Sequence, residues 1–132
     1  MSTRVYLASP IFQCEDHECI NWREEIKRHL PQHEIFDPME RDYRGATGQF
    51  FREIVEHDTE AIDQADILLV NHHKPSVGTA MEILYAWERG KHVVVFSQND
   101  LSPWLLYHSH KICGSLEEAV THLQELRHQQ PI

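Results

Sequence analysis

The chain has 132 residues, of which 41% are apolar and 25% charged, a composition that fits one soluble globular domain and argues against disorder. Its 12 Lys and Arg stand against 21 Asp and Glu, a formal net charge of −9, which disfavours coating a nucleic-acid polymer by neutralising its phosphates. A single small anion is still allowed, because a helix N-terminus can hold one locally.

Short β-rich runs alternate with helical periods. Arg4 to Ala8 reads as a first strand and ends in Ser9-Pro10. Cys19, Trp22, Ile26 and Leu30 recur at helical spacing, and Pro31 stops that helix. Glu34 to Phe36 is a short second strand, followed by Asp37-Pro38. The polar segment from Met39 to Gly48 reads as a loop, and a long helix runs from about Gln49 to Gln64. Ile67 to Asn71 is a continuous apolar strand, and His72 to Val77 a loop. Gly78 to Glu88 is a helix closed by Gly90, and His92 to Ser97 a further buried strand. Lys111 to Cys113 is a short fifth strand. Ser115 to Leu126 is the last helix, with Ser115 and Glu118 in capping-box register. Residues His128 to Ile132 are expected to fray.

Continuous apolar strands alternating with helices predict a parallel sheet covered on both faces. The expected fold is a single doubly wound α/β domain over residues 1–132, flavodoxin- or Rossmann-like, with a five-stranded, mainly parallel sheet. In such sheets ligands sit outside the carboxyl ends of the strands. Apolar runs such as Ile67 to Val70 and Val93 to Phe96 fall far short of the roughly 20 residues that span a bilayer. The first residues lead straight into a strand, so no signal peptide is expected. Cys14, Cys19 and Cys113 lack CxxC spacing, which suggests reduced thiols and a cytoplasmic protein.

Several residues break local rules. Asp58 shares a helix face with Phe51, Ile54, Val55, Ala61, Ile62 and Ala65, where a carboxylate is costly unless paired. It is either a rim residue bonded to a neighbouring loop or part of a functional site. Glu82 follows the turn at Gly78 and Thr79. Thr79 and Glu82 fit a capping box, to which spacing alone leans. The alternative is a carboxylate kept ionised by the helix N-terminus, as a nucleophile requires. Ser76 and Thr79 are either simple caps or a phosphate or hydroxyl site. Tyr6, Ile11 and Phe12 lie at the same sheet edge, either as a satellite core or as a wall for a flat base. The 11 histidines include neither HExxH nor a Cys/His quartet, so no metal is expected. GxGxxG, GxxxxGK[ST] and GxSxG are missing too.

Three segments together resemble the nucleoside 2-deoxyribosyltransferase family, which includes deoxynucleoside 5′-monophosphate N-glycosidases. They are Tyr6-Leu-Ala-Ser-Pro-Ile-Phe, Asp58 ahead of the run from Ala61 to Val70, and Gly78-Thr-Ala-Met-Glu-Ile-Leu-Tyr-Ala followed by Gly90-Lys. The resemblance runs in order from about Val5 to Leu123. It implies that Glu82 is the nucleophile and leaves a deoxyribosyl ester, as in retaining glycosidases. It also implies that Asp58 positions substrate or protonates the leaving base, that Tyr6 contacts the nucleophile, and that Ile11 and Phe12 pack the base. Asp42 falls where some members use a glutamine on the base edge. Transferases often carry an Asp six residues before the nucleophile, where this chain has Ser76. Ser102 falls where transferases usually take an Asn from a neighbouring subunit. Serines at both positions resemble the nucleotide-hydrolysing branch, where they hold the 5′-phosphate; the net charge of −9 steers against such a dianion, and only the helix N-terminus and Arg41 or Arg44 could offset it.

The expected function is cleavage of a 2′-deoxynucleoside, or its 5′-monophosphate, with transfer of the sugar to another nucleobase. The alternatives are hydrolysis of the monophosphate and a non-catalytic nucleotide-binding module. No cofactor is expected. The resemblance implies a homodimer or higher homo-oligomer, in which Ser102 and the Trp104 to Tyr107 segment meet a neighbour's site.

Overall fold

The computed structural model describes residues 3–129. A five-stranded sheet in the order β2-β1-β3-β4-β5 is built from β1 (Arg4–Ala8), β2 (Glu34–Phe36), β3 (Ile67–Asn71), β4 (His92–Phe96) and β5 (Lys111–Cys113). Every pairing is parallel, so the expected mainly parallel sheet is wholly so. Each connecting helix must therefore run back along the sheet, which places its N-terminus at the carboxyl edge of the strands. The helices are α1 (Trp22–His29), α2 (Phe51–Gln64), α3 (Val77–Glu88), α4 (Pro103–Tyr107) and α5 (Leu116–Gln129). Residues 130–132, the tip of the segment expected to fray, lie outside the described residues, whereas α5 runs to Gln129.

Strand alternation sorts the core into two layers. Val5, Leu7, Ile67, Leu69, Val94 and Phe96 face one side, where Trp22, Ile26 and Leu30 of the α1 region and Ala119, Val120 and Leu123 of α5 cover them. Tyr6, Ala8, Leu68, Val70, Val93 and Val95 face the other, against Ile62, Ala65, Ile83 and Ala86. Ile26 and Ile62 are fully buried, and each contributes roughly 1.5–3 kcal/mol of transfer free energy. Tyr6 belongs to the α2/α3 layer by this alternation, opposite Phe36 and Leu68.

Three local elements differ from the periodicity reading, the first a 3₁₀ turn over Pro38–Glu40 that enters the expected loop. A π turn over His17–Asn21 precedes α1. The stretch after Ser102 folds as the short helix α4, with Ser102 as its N-cap and Pro103 at its first position. Ser-Pro carried that start signal in the sequence. Among the described residues no helix is long and apolar enough to cross a membrane.

Candidate active site

The chain leaves β1 towards β2 on one side and returns to β3 on the other, so the strand order switches between β1 and β3. Outside the carboxyl ends of the strands lies a cavity of about 900 Å³. Tyr6 enters it from β1, Asp58 from α2 and Glu82 from α3. The Tyr6 hydroxyl donates to Glu82 Oε2 at 2.5 Å. Burial, and then the charges of Glu82 and Asp58, push the Tyr6 pKa well up, so it remains a phenol and a donor. Burial raises Asp58 to about 6, against the pull of the Tyr6 hydroxyl, Arg23 and Arg41. Burial and the Asp58 charge raise Glu82 to about 8, opposed by Tyr6 and Arg23. The two carboxyls thus hold a proton between them near neutrality.

Glu82 corrects two expectations. Ser76, not Thr79, is the N-cap of α3, and its side chain accepts from the Thr79 N–H at 3.4 Å. Glu82 is therefore one turn beyond a capping box, and its carboxylate goes to Tyr6 instead. Nor does the helix N-terminus keep it ionised, because dipole effects fade after the first turn while burial and Asp58 act in the other direction.

The cavity also gathers Ile11, Phe12, Ser76, Gly78 and Thr79. Trp22 Nε1 donates to Ser9 Oγ at 3.2 Å and anchors the loop that carries Ile11 and Phe12. Phe12 stays 66% exposed, a wall without a protein partner of matching area. A Cβ at Gly78 would meet no protein atom within 4 Å, so the space it leaves belongs to the cavity. Thr79 is buried, and its Oγ1 has no hydrogen-bond partner.

Two expected residues are not brought in. Asp42 is exposed and clamped by Arg44, which bonds it through its backbone N, Nε and Nη2 at 2.7–3.0 Å. Ser102 is exposed and accepts from the Leu105 N–H at 3.3 Å as the cap of α4, so within one chain it does not line the cavity. Of the two arginines, Arg41 and Arg44 both reach the cavity wall, but Arg44 is already bound to Asp42 and Asp16.

Sequence reasoning missed Arg23. It is fully buried, donates to the carbonyls of Cys19 at 2.6 Å and Leu7 at 3.3 Å, and pairs with Asp37 at 3.3 Å. It is the buried cation facing the Tyr6, Asp58 and Glu82 group. Its signal was available: position 23 shares the helix face of Cys19 and Ile26, the same kind of anomaly as Asp58.

Against known proteins, the profile of the nucleoside 2-deoxyribosyltransferase family matches residues 5–122. The chain belongs to this family. No curated protein matches the sequence. Among solved structures it is similar to a 2-deoxyribosyltransferase of Bacillus psychrosaccharolyticus, with TM-score 0.74 and 24% identity over 89% of this chain and 90% of that one. The CMP N-glycosidase BcmB of Clostridium botulinum gives 0.61 and 20%, over 92% and 99%. A 2-deoxyribosyltransferase of Leishmania mexicana gives 0.60 and 21%, over 81% and 72%. These structures share the fold, and the family profile makes this chain an enzyme of the nucleoside 2-deoxyribosyltransferase family, with nucleosides and nucleobases as its substrate class.

Proposed function

We propose that this deoxyribosyltransferase-family enzyme cleaves the N-glycosidic bond of a 2′-deoxynucleoside, or its 5′-monophosphate, with retention, and passes the sugar to a second nucleobase. The observation that carries this reading is the meeting of Tyr6, Asp58 and Glu82 in one cavity, with the tyrosine hydroxyl on Glu82. In the free site the proton sits on Glu82, the carboxyl raised further; reaction requires that it pass to Asp58, so that Glu82 attacks as a carboxylate and Asp58 is the acid. A Glu82 oxygen then attacks C1′ and forms an ester as the C1′–N bond breaks. The bonding electrons go to the base nitrogen, which takes the Asp58 proton. An incoming base attacks C1′, Glu82 leaves as a carboxylate, and Asp58 recovers a proton from the attacking nitrogen. The apolar wall of Ile11 and Phe12 suits a flat base.

Hydrolysis of a 5′-monophosphate, with water as the second nucleophile, is favoured by one separate observation. The start of α3 offers Ser76, the unpartnered Thr79 hydroxyl and open space at Gly78, with no carboxylate in the position of Ser76. Completion of the site by a second copy of the chain is also part of the proposal. Trp104 is 77% and Tyr107 69% exposed on α4 beside Ser102, and aromatics of this kind are enriched at interfaces.

The test is a panel of deoxynucleosides and monophosphates, with and without an acceptor base, read by chromatography. Acceptor-dependent formation of a new nucleoside supports transfer. Equal base release from monophosphates with and without acceptor, and none from nucleosides, replaces transfer by hydrolysis. In that case Ser76→Asp should invert the preference for phosphate, since a carboxylate repels it yet accepts from a free 5′-hydroxyl. A fully active monomer by light scattering would remove the shared site.

A further inference from the structure

Outside the cavity, the loop after β1 and the loop after β3 bring together three donors of different chemistry. Cys14 Sγ, a Glu18 carboxylate oxygen and a His73 ring nitrogen all lie within 4.8 Å of one another. Glu18 Oε2 stands 3.6 Å from His73 Nδ1. Donor atoms around a tetrahedral zinc ion are roughly 3.3–3.8 Å apart, given its bond lengths to N, O and S. Glu18 Oε1 accepts from the Glu15 N–H at 3.0 Å, which orients the carboxylate and leaves Oε2 turned to His73. His73 Nδ1 is the ring nitrogen turned to Glu18 Oε2, whereas Nε2, on the other side of the ring, is buried without a hydrogen-bond partner. The Glu18 and His73 side chains keep 27% and 25% exposure, enough for an ion to enter and keep a water ligand.

We propose that Cys14, Glu18 and His73 form a binding site for a borderline-soft divalent cation such as Zn²⁺, with water as the fourth ligand. The thiol proton is released to solvent as the thiolate binds; no bond is oxidised or reduced. The ion would staple the loop that carries Ile11 and Phe12 to the loop that leads into Ser76, so its role is structural, at the border of the cavity. One group opposes it. Lys74 Nζ lies 3.8 Å from Glu18 Oε2 and beside Cys14, whose Sγ donates to the Phe12 carbonyl at 3.7 Å, so Lys74 acts as the resident cation that the metal must displace. Its side chain is 40% exposed and free to swing into solvent. The chain spacing of these ligands, four residues and then fifty-five, matches no motif, which is why only the folded chain displays the set.

Co²⁺ titration of the reduced, chelator-treated full chain tests the site, because a cobalt–thiolate bond absorbs in the near ultraviolet and a cobalt–carboxylate or imidazole bond does not. One equivalent of Co²⁺ should produce that band. Cys14→Ser should abolish it, and Glu18→Gln and His73→Asn should each weaken binding by about tenfold or more. Lys74→Met should tighten it, since a neighbouring positive charge is removed. Zn²⁺ should raise the melting temperature of the wild type and not of Cys14→Ser. No thiolate band in the wild type, a band that survives Cys14→Ser, or binding unchanged in Lys74→Met would each overturn the assignment.

Discussion

The two halves of α2 carry one apolar stripe, interrupted only by Asp58, and do different things with it. Near its C-terminal end Ile62 is 0% exposed, and Ala65 just beyond is 2% exposed; both pack on the sheet. In the N-terminal half, Phe51 is 60% and Val55 58% exposed, and with Ile54 and Asp58 they line the cavity. Helix α3 divides in the same way, with Ile83 and Ala86 in the core and Val77 and Met81 open. Both helices run past the carboxyl edge of the sheet, so their first turns have no strand to cover. An apolar stripe reports which face of a helix turns inwards, not whether protein or a ligand will meet it.

The largest effect separating the two halves should come from Glu82→Gln. It should cut base release by at least about 10⁴-fold while thermal unfolding stays cooperative. Near-normal turnover, measured by chromatography of the released base, would return the cavity end of α3 to a purely structural role. Next, Ile62→Ala should lower stability by about 2–5 kcal/mol in urea unfolding, the cost of a cavity in a packed core. Val55→Ala, two turns away on the same stripe, should stay within about 0.5 kcal/mol and act on KM instead. Equal losses at both positions would erase the division.

Asp58→Asn should lower the rate by roughly a hundredfold, the low end for a positioned acid–base group. Its melting temperature should hold or rise at pH 8, because a buried charge is removed. Full activity with a collapsed melting temperature would make Asp58 a structural anchor. The smallest effect is a slope. Asp58 is raised to about 6 from 3.8 and Glu82 to about 8 from 4.5, so between those values the native state binds more protons than the unfolded one. Below that window the two states are equally protonated; as pH rises through it, stability falls. Urea midpoints should therefore decline from about pH 4.5 to about pH 8, and Glu82→Gln should flatten most of that decline. A flat wild-type profile would mean that the cavity carboxyls are as well solvated as in the unfolded chain.

The legible part of the site was the part written as local contradiction. A carboxylate on an apolar stripe marked Asp58, and the carboxyl end of β1 put Tyr6 near the ligand edge; Glu82, which spacing alone assigns to a cap, gained its role from the family resemblance. Arg23 carries an equal contradiction, a cation on the apolar face of Cys19 and Ile26. Asp42 lies in a loop, where no period constrains the register, and its own neighbour Arg44 pairs with its charge. The helix α4 was short enough that Ser102-Pro103 was its only clear signal.

The sequence by itself determined the five strands, the main helices between them and the parallel sheet, but not the short helix α4 or the π turn ahead of α1. Those follow from periodicities of 2 and 3.6 residues, which are properties of the local chain. The tertiary structure decided the rest. Which residue caps α3, and so what Glu82 is free to bond, depends on where the backbone turns beyond Pro75. Whether the two carboxyls share a proton depends on the distance between α2 and α3, and on the burial that makes their charges costly. The gathering of Cys14 and Glu18 with His73 depends on two loops meeting at one sheet edge. Electrostatic and ligand-binding properties of this kind arise between segments far apart in the chain, where no sequence period reaches.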